Sequence, residues 1–521
     1  MPHPPNHAGG GLPGHIAVVP NAAWMLWQTA ESSPEHPALV DRERGATFGT
    51  LRARAAAIAE ALIAGGLKPG DRVGILLDRG VDAAAAFFGV LASGGIAVNI
   101  NETLRTLQID FILGHAGAVA LLSTESILAR LPRALESPVR VTRVEDLPAT
   151  GTMLPVPRVA HDVGHIIYTS GSTGQPKGVT ITHGNLWAGM WSVSTYLGIG
   201  PTDRIASLLP FSFDYGLNQL LLAAGRGATL VIERSPLPQQ IVATLAAESV
   251  TVLPCVPPLW LQLIATEGFR ARPLPALRAM TNTGGRVPRE AVHALRTAQP
   301  QAELFLMYGL TEAFRSTYLP PSEVDRRPDS IGRAIPGAEI LVLREDGTLC
   351  DAEEIGELVH RGPTVGLGYW RDPETTARVY RPNPLRPPGT PDTERVVFSG
   401  DLVRRDAEGF IYHVGRRDKM IKSLGFRVSP DEVASAIFAS GQVAEVVVTS
   451  EDDEARGERI IAHVVLAAGG ALDRLKVFCG TEMPRYMQPG RIEVHETLPR
   501  TSSGKHDPKQ LAGARANAKR M

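Results

Sequence analysis

Through the first 330 residues, short apolar runs alternate with longer stretches that read as helices. Leu51 to Ala64 is Ala-rich and has no breaker, so it reads as a helix. Asp71 to Leu77, after a Pro-Gly turn, reads as a strand. The most apolar run, Ala83 to Val98, is interrupted by Ser93-Gly94-Gly95 and reads as a helix, a turn and a buried strand. It falls short of the ~20 residues a membrane-spanning helix needs. Val163 to Tyr168 is a short run that ends in a Ser/Gly/Thr cluster, with a helical stretch from His183. Further short runs lie at Arg204 to Leu209, Ala228 to Ile232, Val250 to Leu253, Leu277 to Asn282 and Glu303 to Met307. A repeated strand-then-helix order predicts mostly parallel sheets covered by helices.

Beyond about residue 330 the pattern changes. Ile340 to Leu343, Gly356 to His360, Val396 to Ser399 and Phe410 to His413 read as short antiparallel strands joined by turns, a small β-barrel-like part. Arg381 to Arg395 carries five prolines and reads as an exposed loop. From 419 a small α+β unit is expected: helix 430–439, strands 443–450 and 458–467, helix 471–481 and strand 491–496. The chain therefore divides on paper into a flexible arm (1–20), a large α/β domain (21–418) and a small mobile C-terminal domain (419–521). No heptad run and no long repeat is present.

Composition narrows the function classes. The 521 residues suit about three or four compact units, with 44% hydrophobic and 21% charged residues, as in ordinary globular chains. With 53 Lys+Arg against 54 Asp+Glu, the net charge of -1 offers no electrostatic reason to expect a nucleic acid or an anionic membrane. Cys255, Cys350 and Cys479 are too far apart for a metal motif or a disulfide framework. They read as reduced thiols, and with no apolar signal segment in the first residues the expected location is the cytoplasm.

The segment Tyr168 to Val179, YTSGSTGQPKGV, carries the clearest chemistry. A Gly/Ser/Thr-rich loop after a strand offers backbone N–H groups and hydroxyls to anionic oxygens, and Lys177 adds a cation. It differs from a Walker A loop, which ends Gly-Lys-Ser/Thr, whereas Pro176-Lys177-Gly178 stands here.

Four more segments follow in order: Tyr308-Gly309-Leu310-Thr311-Glu312, Ser399-Gly400-Asp401, Gly415-Arg416-Arg417-Asp418-Lys419 and Pro499-Arg500-Thr501-Ser502-Ser503-Gly504-Lys505. With the loop, this set resembles the adenylate-forming superfamily of acyl-CoA synthetases, luciferase-like enzymes and peptide-synthetase adenylation domains. The resemblance spans roughly residues 25 to 515. It implies that a carboxylic acid is joined to the α-phosphate of ATP with loss of pyrophosphate. The acyl-adenylate then passes to a thiol, that of CoA or a carrier protein's phosphopantetheine.

The resemblance also implies roles. Thr169, Ser170, Gly171, Ser172, Thr173 and Gly174, with Lys177, would hold the β- and γ-phosphates. Thr311 would bond a phosphate oxygen, and Glu312 would hold Mg²⁺, a hard ion that favours oxygen ligands. Tyr308, followed by Gly309, would stack on adenine, and Gly284-Gly285-Arg286 would let backbone approach the base. Asp401 would accept the ribose hydroxyls and Arg416 would lie against the ribose-phosphate. Lys505 would reach into the site and stabilise the reacting carboxylate and the α-phosphate. Lys419 would be the hinge about which the small domain rotates between half-reactions, and Gly425 would line the thiol tunnel. After Lys505 the chain runs His506-Asp507, where many relatives carry an Arg, which leaves the local packing open.

Pro210 to Gln219 would approach the acyl pocket. In amino-acid-activating relatives a Phe-Asp pair sets the Asp against the substrate ammonium, and Phe213-Asp214 falls at that place. Asp214 could equally pair internally or cap a helix. Met307 either borders the pocket or belongs to the core. Gly425 to Val433 looks more like stand-alone acyl-CoA ligases than peptide-synthetase domains. Tyr308 to Arg333 resembles ligases found beside bacterial exopolysaccharide and exosortase systems. The expected partners are a small carboxylic or amino acid and, as thiol donor, CoA or a separate carrier protein. Competing readings are a fatty or aryl acyl-CoA synthetase, a non-catalytic nucleotide-binding relative, and an adenylating enzyme that stops at acyl-AMP or passes the acyl group to an amine or hydroxyl.

Overall fold

The computed structural model describes residues 21–511 apart from 43, 105, 132, 170–175, 418–420, 424–425, 454–456, 484, 486, 502–505 and 508–509. Two large sheets and one small one organise them.

The seven-stranded sheet runs, in spatial order, Gly368–Tyr369, Lys177–Thr182, Val163–Thr169, Ile96–Asn99, Arg72–Ile75, Ala118–Ser123 and Arg140–Arg143. From Val163–Thr169 to the Arg140–Arg143 edge every pairing is parallel. The central strand Ile96–Asn99 is buried at all four positions, as expected of a parallel strand covered on both faces. In the helix Val81–Ala92 every residue but Asp82 is buried, so it packs on all sides. Its Gly89 permits the close crossing of helix Phe48–Ala64: a Cβ there would lie 2.8 Å from the Ala55 carbonyl oxygen.

The Gly/Ser/Thr loop does not lead from strand to helix. It joins Val163–Thr169 to an antiparallel return strand, Lys177–Thr182, before the helix His183–Leu197 begins. Thr182 caps that helix by accepting the Asn185 N–H at 3.0 Å, while the Asn185 side chain accepts the Thr182 N–H at 2.9 Å. The strand escaped the sequence reading because Val179–Ile181 is short and adjoins the cap.

The fourteen-stranded sheet is parallel from Pro37–Val40 through Thr229–Ile232, Arg204–Ser207, Val252–Cys255 and Ala279–Asn282 to Glu303–Tyr308. It turns antiparallel at Thr317–Leu319 and continues through Ser330–Ala334, Ile411–Arg416, Arg395–Arg405, Ile355–Arg361 and Glu339–Leu343. The antiparallel strands expected as a barrel-like part thus extend the long sheet. Tyr380–Pro382, at the start of the expected proline loop, pairs with Arg395–Val397, and 384–394 is mostly exposed.

The small sheet orders Phe426–Val428, Ile421–Ser423, Gly457–Leu466 and Val443–Asp453, with Arg491–Val494 on the other side of Gly457–Leu466. Helices Pro430–Phe438 and Leu472–Glu482 cover one face, where Val433, Ile437, Val448, Ile460, Ala462 and Leu475 form a separate core. The α–β–β–α–β order is as expected, with an added antiparallel pair, Ile421–Ser423 and Phe426–Val428. Among the described residues no helix is long and apolar enough to cross a membrane.

Candidate active site

Four of the five motif segments converge near where the long sheet changes from parallel to antiparallel. Strand Glu303–Tyr308 ends at Tyr308, and Gly309 follows in a close approach: a Cβ there would lie 2.9 Å from the Arg315 Cα. A single 3₁₀ turn, Thr311–Ala313, then presents Thr311 and Glu312.

The Tyr308 hydroxyl donates to the Asp401 carboxylate. Asp401 and Arg416 are register partners on adjacent strands, which sets Arg416 Nη1 3.3 Å from Asp401 Oδ1. His413 Nε2 lies 3.5 Å from the same oxygen. Burial pushes the Asp401 carboxyl up, but the His413 hydrogen bond and the Arg416 charge outweigh it and hold it below the usual carboxylate range. Burial and the neighbouring Asp401 charge push the Tyr308 phenol well up, so it stays a proton donor.

Glu312 accepts the Tyr369 hydroxyl on Oε1, and its carbonyl accepts the Gly366 N–H at 2.9 Å. Tyr369 belongs to the Gly368–Tyr369 strand, which pairs with Lys177–Thr182, so the Glu312 turn is tied to the strand that follows the Gly/Ser/Thr loop. Lys177 Nζ donates to Thr375 Oγ1 at 2.8 Å, lies 3.3 Å from Asp372 Oδ2 and sits 5.6 Å from the Tyr369 ring centroid. Thr169 pairs with Lys177 across the base of the loop. One small region therefore holds a cation able to neutralise anionic oxygens, a carboxylate suited to a hard metal ion and a hydroxyl from Thr311.

Thr311 Oγ1 also reaches Asp214 Oδ2 at 3.4 Å. Asp214 opens the helix Asp214–Arg226, is buried, and accepts the Tyr215 N–H on Oδ1 at 2.7 Å. It makes a local helix-end bond and also borders Thr311. Phe213 packs edge-on to Tyr215 with centroids 6.4 Å apart. Met307 is buried, and its Sδ accepts the Tyr196 hydroxyl at 2.8 Å.

Gly284 has φ +81°, a conformation in which glycine avoids the Cβ penalty. Gly285 packs on Pro257, where a Cβ would lie 3.2 Å from Cγ. Arg286 pairs with Asp329 and reaches Ser435 Oγ at 3.4 Å, on helix Pro430–Phe438. Ser170, Gly171, Ser172, Thr173, Gly174, Lys419, Gly425 and Lys505 lie outside the described residues. The flanks of the Lys505 segment are described. Arg500 Nη2 forms an ion pair with Glu445 Oε2 at 2.8 Å, His506 Nε2 lies 3.8 Å from the same oxygen, and Arg500 and His506 form a β-bridge. Leu498 and Leu511 pack on Val447. His506 thus joins Arg500 around one carboxylate.

Sequence reasoning missed Tyr369, Asp372, Thr375, His413 and Arg315. The first four sit in ordinary strand, turn and cap contexts, and only the fold brings them to the motif residues.

The family model "AMP-binding enzyme" matches residues 26–370, and "AMP-binding enzyme C-terminal domain" matches 432–505. Tyrocidine synthase 3 of Brevibacillus parabrevis is 30% identical over 498 residues, 94% of this chain but 8% of its own length. The chain therefore spans less than a tenth of that protein's length. The 2-succinylbenzoate–CoA ligase of Geobacillus kaustophilus is 29% identical over 496 residues, covering 94% of this chain and 96% of that one. The o-succinylbenzoate CoA synthetase of Bacillus subtilis, solved with its acyl-adenylate intermediate, superposes with TM-score 0.81 at 27% identity over 94% of this chain and 98% of that one. The same enzyme has been solved with ATP and a magnesium ion. The family models match both parts of the chain, so the chain belongs to the AMP-binding enzyme family.

Proposed function

We propose that the protein is an AMP-forming acid–thiol ligase. It joins a carboxylic acid to the α-phosphate of ATP, releases pyrophosphate, and passes the acyl group to the thiol of CoA or of a carrier protein's phosphopantetheine. The observation that carries this reading is the convergence of the Tyr308–Asp401–Arg416 group, the Thr311–Glu312 turn and Lys177 on one cleft.

Each residue has a physical task. Asp401, ionised and held by Arg416 and His413, accepts ribose hydroxyls. Tyr308 covers the adenine. Lys177 and the loop from Thr169 to Gly174 take the β- and γ-phosphates, with Lys177 leaving Asp372 to do so. Glu312, oriented by Tyr369, holds Mg²⁺, which when bound neutralises phosphate charge. Thr311 bonds a phosphate oxygen. Lys505 enters from the C-terminal part and stabilises charge on the reacting carboxylate and α-phosphate, a preorganised contact typically worth about 3–4 kcal/mol. Phe213, Asp214 and Met307 border the acid. Buried Asp214, with one hydroxyl on Oδ2 among the described residues, suits an amino-bearing acid.

The division at Lys419 into 21–418 and 419–521, with rotation about it, belongs to the same proposal. Gly425 then lines the thiol path. A cytoplasmic setting is supported by three buried cysteines, all unpaired.

The test is pyrophosphate release and thioester formation measured by mass spectrometry with CoA and with a phosphopantetheinylated carrier protein. Acid-dependent release followed by a thioester supports the proposal. Release without any thioester favours delivery to an amine or hydroxyl, and no release with any acid favours a nucleotide-binding role alone.

A further inference from the structure

Arg315 lies between Thr283 and the Tyr215 ring and is 3% exposed. Its Nη1 donates to Thr283 Oγ1 at 2.7 Å, and its guanidinium sits 5.0 Å from the Tyr215 ring centroid. Its Nε is buried without an acceptor. No carboxylate among the described residues comes within 4.0 Å of it.

The other buried arginines among the described residues are better matched. Arg54 bonds Asp82 at 3.0 Å and three backbone carbonyls. Arg327 pairs with Glu323, Asp406 and Glu408. Arg79 donates to two carbonyls, those of Ser207 and Glu233, although its Nε too lacks an acceptor. Arg315 has one neutral hydroxyl and a ring face. A buried cation so poorly compensated is costly unless an anion completes it.

Its position says which anion. Tyr215 carries the ring beneath Arg315 and also the N–H that bonds Asp214, whose other oxygen meets Thr311. Gly309 presses on the Arg315 backbone. Tyr215 thus meets the Arg315 guanidinium through its ring and Asp214 through its backbone N–H, and Asp214 in turn meets Thr311. A guanidinium presents paired N–H donors that fit a carboxylate in a two-point contact.

We propose that Arg315 binds a second carboxylate of the substrate, so the acid activated is a dicarboxylic acid or an acidic amino acid. This rests on the ligase reading above. The distal carboxylate lies between Arg315 and Thr283, and the reacting one lies toward Thr311.

The test is acid-dependent ATP–pyrophosphate exchange with matched pairs that differ only in distal charge: aspartate and asparagine, glutamate and glutamine, succinate and succinamate, glutarate and glutaramate. Each is run with the wild type, Arg315→Met and Arg315→Lys. In at least one pair the wild type should prefer the diacid by about 10²–10⁴-fold in kcat/KM, because a site built for a polar group rejects an analogue lacking it. Arg315→Met should abolish that preference mainly by raising the KM for the diacid, with the KM for ATP unchanged, and Arg315→Lys should restore part of it. Exchange confined to neutral acids, or a preference that survives in Arg315→Met, overturns the inference while the ligase reading stands. A raised KM for ATP with every acid also overturns it and assigns Arg315 to the nucleotide. No exchange with these or any other acid overturns both.

Discussion

The Lys177 ammonium lies 3.3 Å from the Asp372 carboxylate, so the cation that opens the strand after the Gly/Ser/Thr loop is tied to the cap of helix Pro373–Val379. Asp372 also accepts the Thr375 N–H at 3.0 Å. In the proposed function, triphosphate displaces this pair. Lys177→Ala should raise the KM for ATP at least tenfold, as loss of one charge-assisted contact implies. Asp372→Asn keeps the cap but removes the competing charge. Part-exposed pairs are worth under about 1 kcal/mol, so the KM for ATP should fall by less than about fivefold. Steady-state kinetics with varied ATP checks both. An Asp372→Asn variant as impaired as Lys177→Ala would mean that the pair acts as a unit.

Asp401 is held ionised in the folded protein, below its ordinary range. A depressed carboxyl contributes stability that is present above the unfolded value and lost as pH falls through the folded one. Asp401→Asn should therefore destabilise the protein at pH 7 and remove its share of the acid dependence at low pH. It should also raise the KM for ATP about 10–100-fold, since a charged hydrogen-bond acceptor is lost. Urea melts at pH 7 and pH 4, with ATP kinetics at pH 7, measure both effects.

Three histidines make the fold acid-sensitive. Burial drives His165 and His360 to about 3 and His183 to about 4. His360 lies 3.0 Å from both Ser316 and Thr364, and His183 Nδ1 accepts the Ala22 N–H at 3.0 Å, a bond that a proton on Nδ1 would break. These groups stay neutral when folded but gain a proton near pH 6.5 when unfolded. Stability is therefore full above pH 6.5 and falls as the pH drops from there toward the folded values. The loss is about 1.4 kcal/mol per pH unit for each fully buried histidine. Urea midpoints from pH 7.5 to 5 should fall steeply, and less so in His360→Gln once its lower baseline is subtracted. A flat profile would contradict the buried neutral state.

Much of this was legible in the sequence, for local reasons. The helix Val81–Ala92 and the strand Ile96–Asn99 were separable because Ser93-Gly94-Gly95 breaks one apolar run. The α–β–β–α–β unit emerged with ends within a few residues because its strands are flanked by turns. What escaped depends on tertiary pairing. Lys177–Thr182 is a strand because Val163–Thr169 and Gly368–Tyr369 pair with it, and the latter is almost two hundred residues away. Arg315 adjoins the Tyr308–Glu312 motif, yet its environment comes from Tyr215 and Thr283, which no periodicity links to it. The sequence offers Asp214 two roles, and in the structure it makes a helix-end bond as well as the contact with Thr311.

If the small C-terminal part turns about Lys419 between half-reactions, fixing φ there blocks the second. Lys419→Pro should leave ATP–pyrophosphate exchange within about twofold of wild type and reduce thioester formation by about 10²-fold or more, the scale on which a misplaced group costs rate. Quenched-flow assays of each step check this. Unchanged thioester turnover would remove the hinge.

The most direct measurement separates the half-reactions in Lys505→Ala. Single-turnover formation of acyl-adenylate should slow by about 10²–10³-fold, while thiol capture of chemically prepared acyl-adenylate should proceed at nearly the wild-type rate. Equal slowing of both steps, or adenylate formation at the wild-type rate, would contradict an adenylating cleft completed by this lysine.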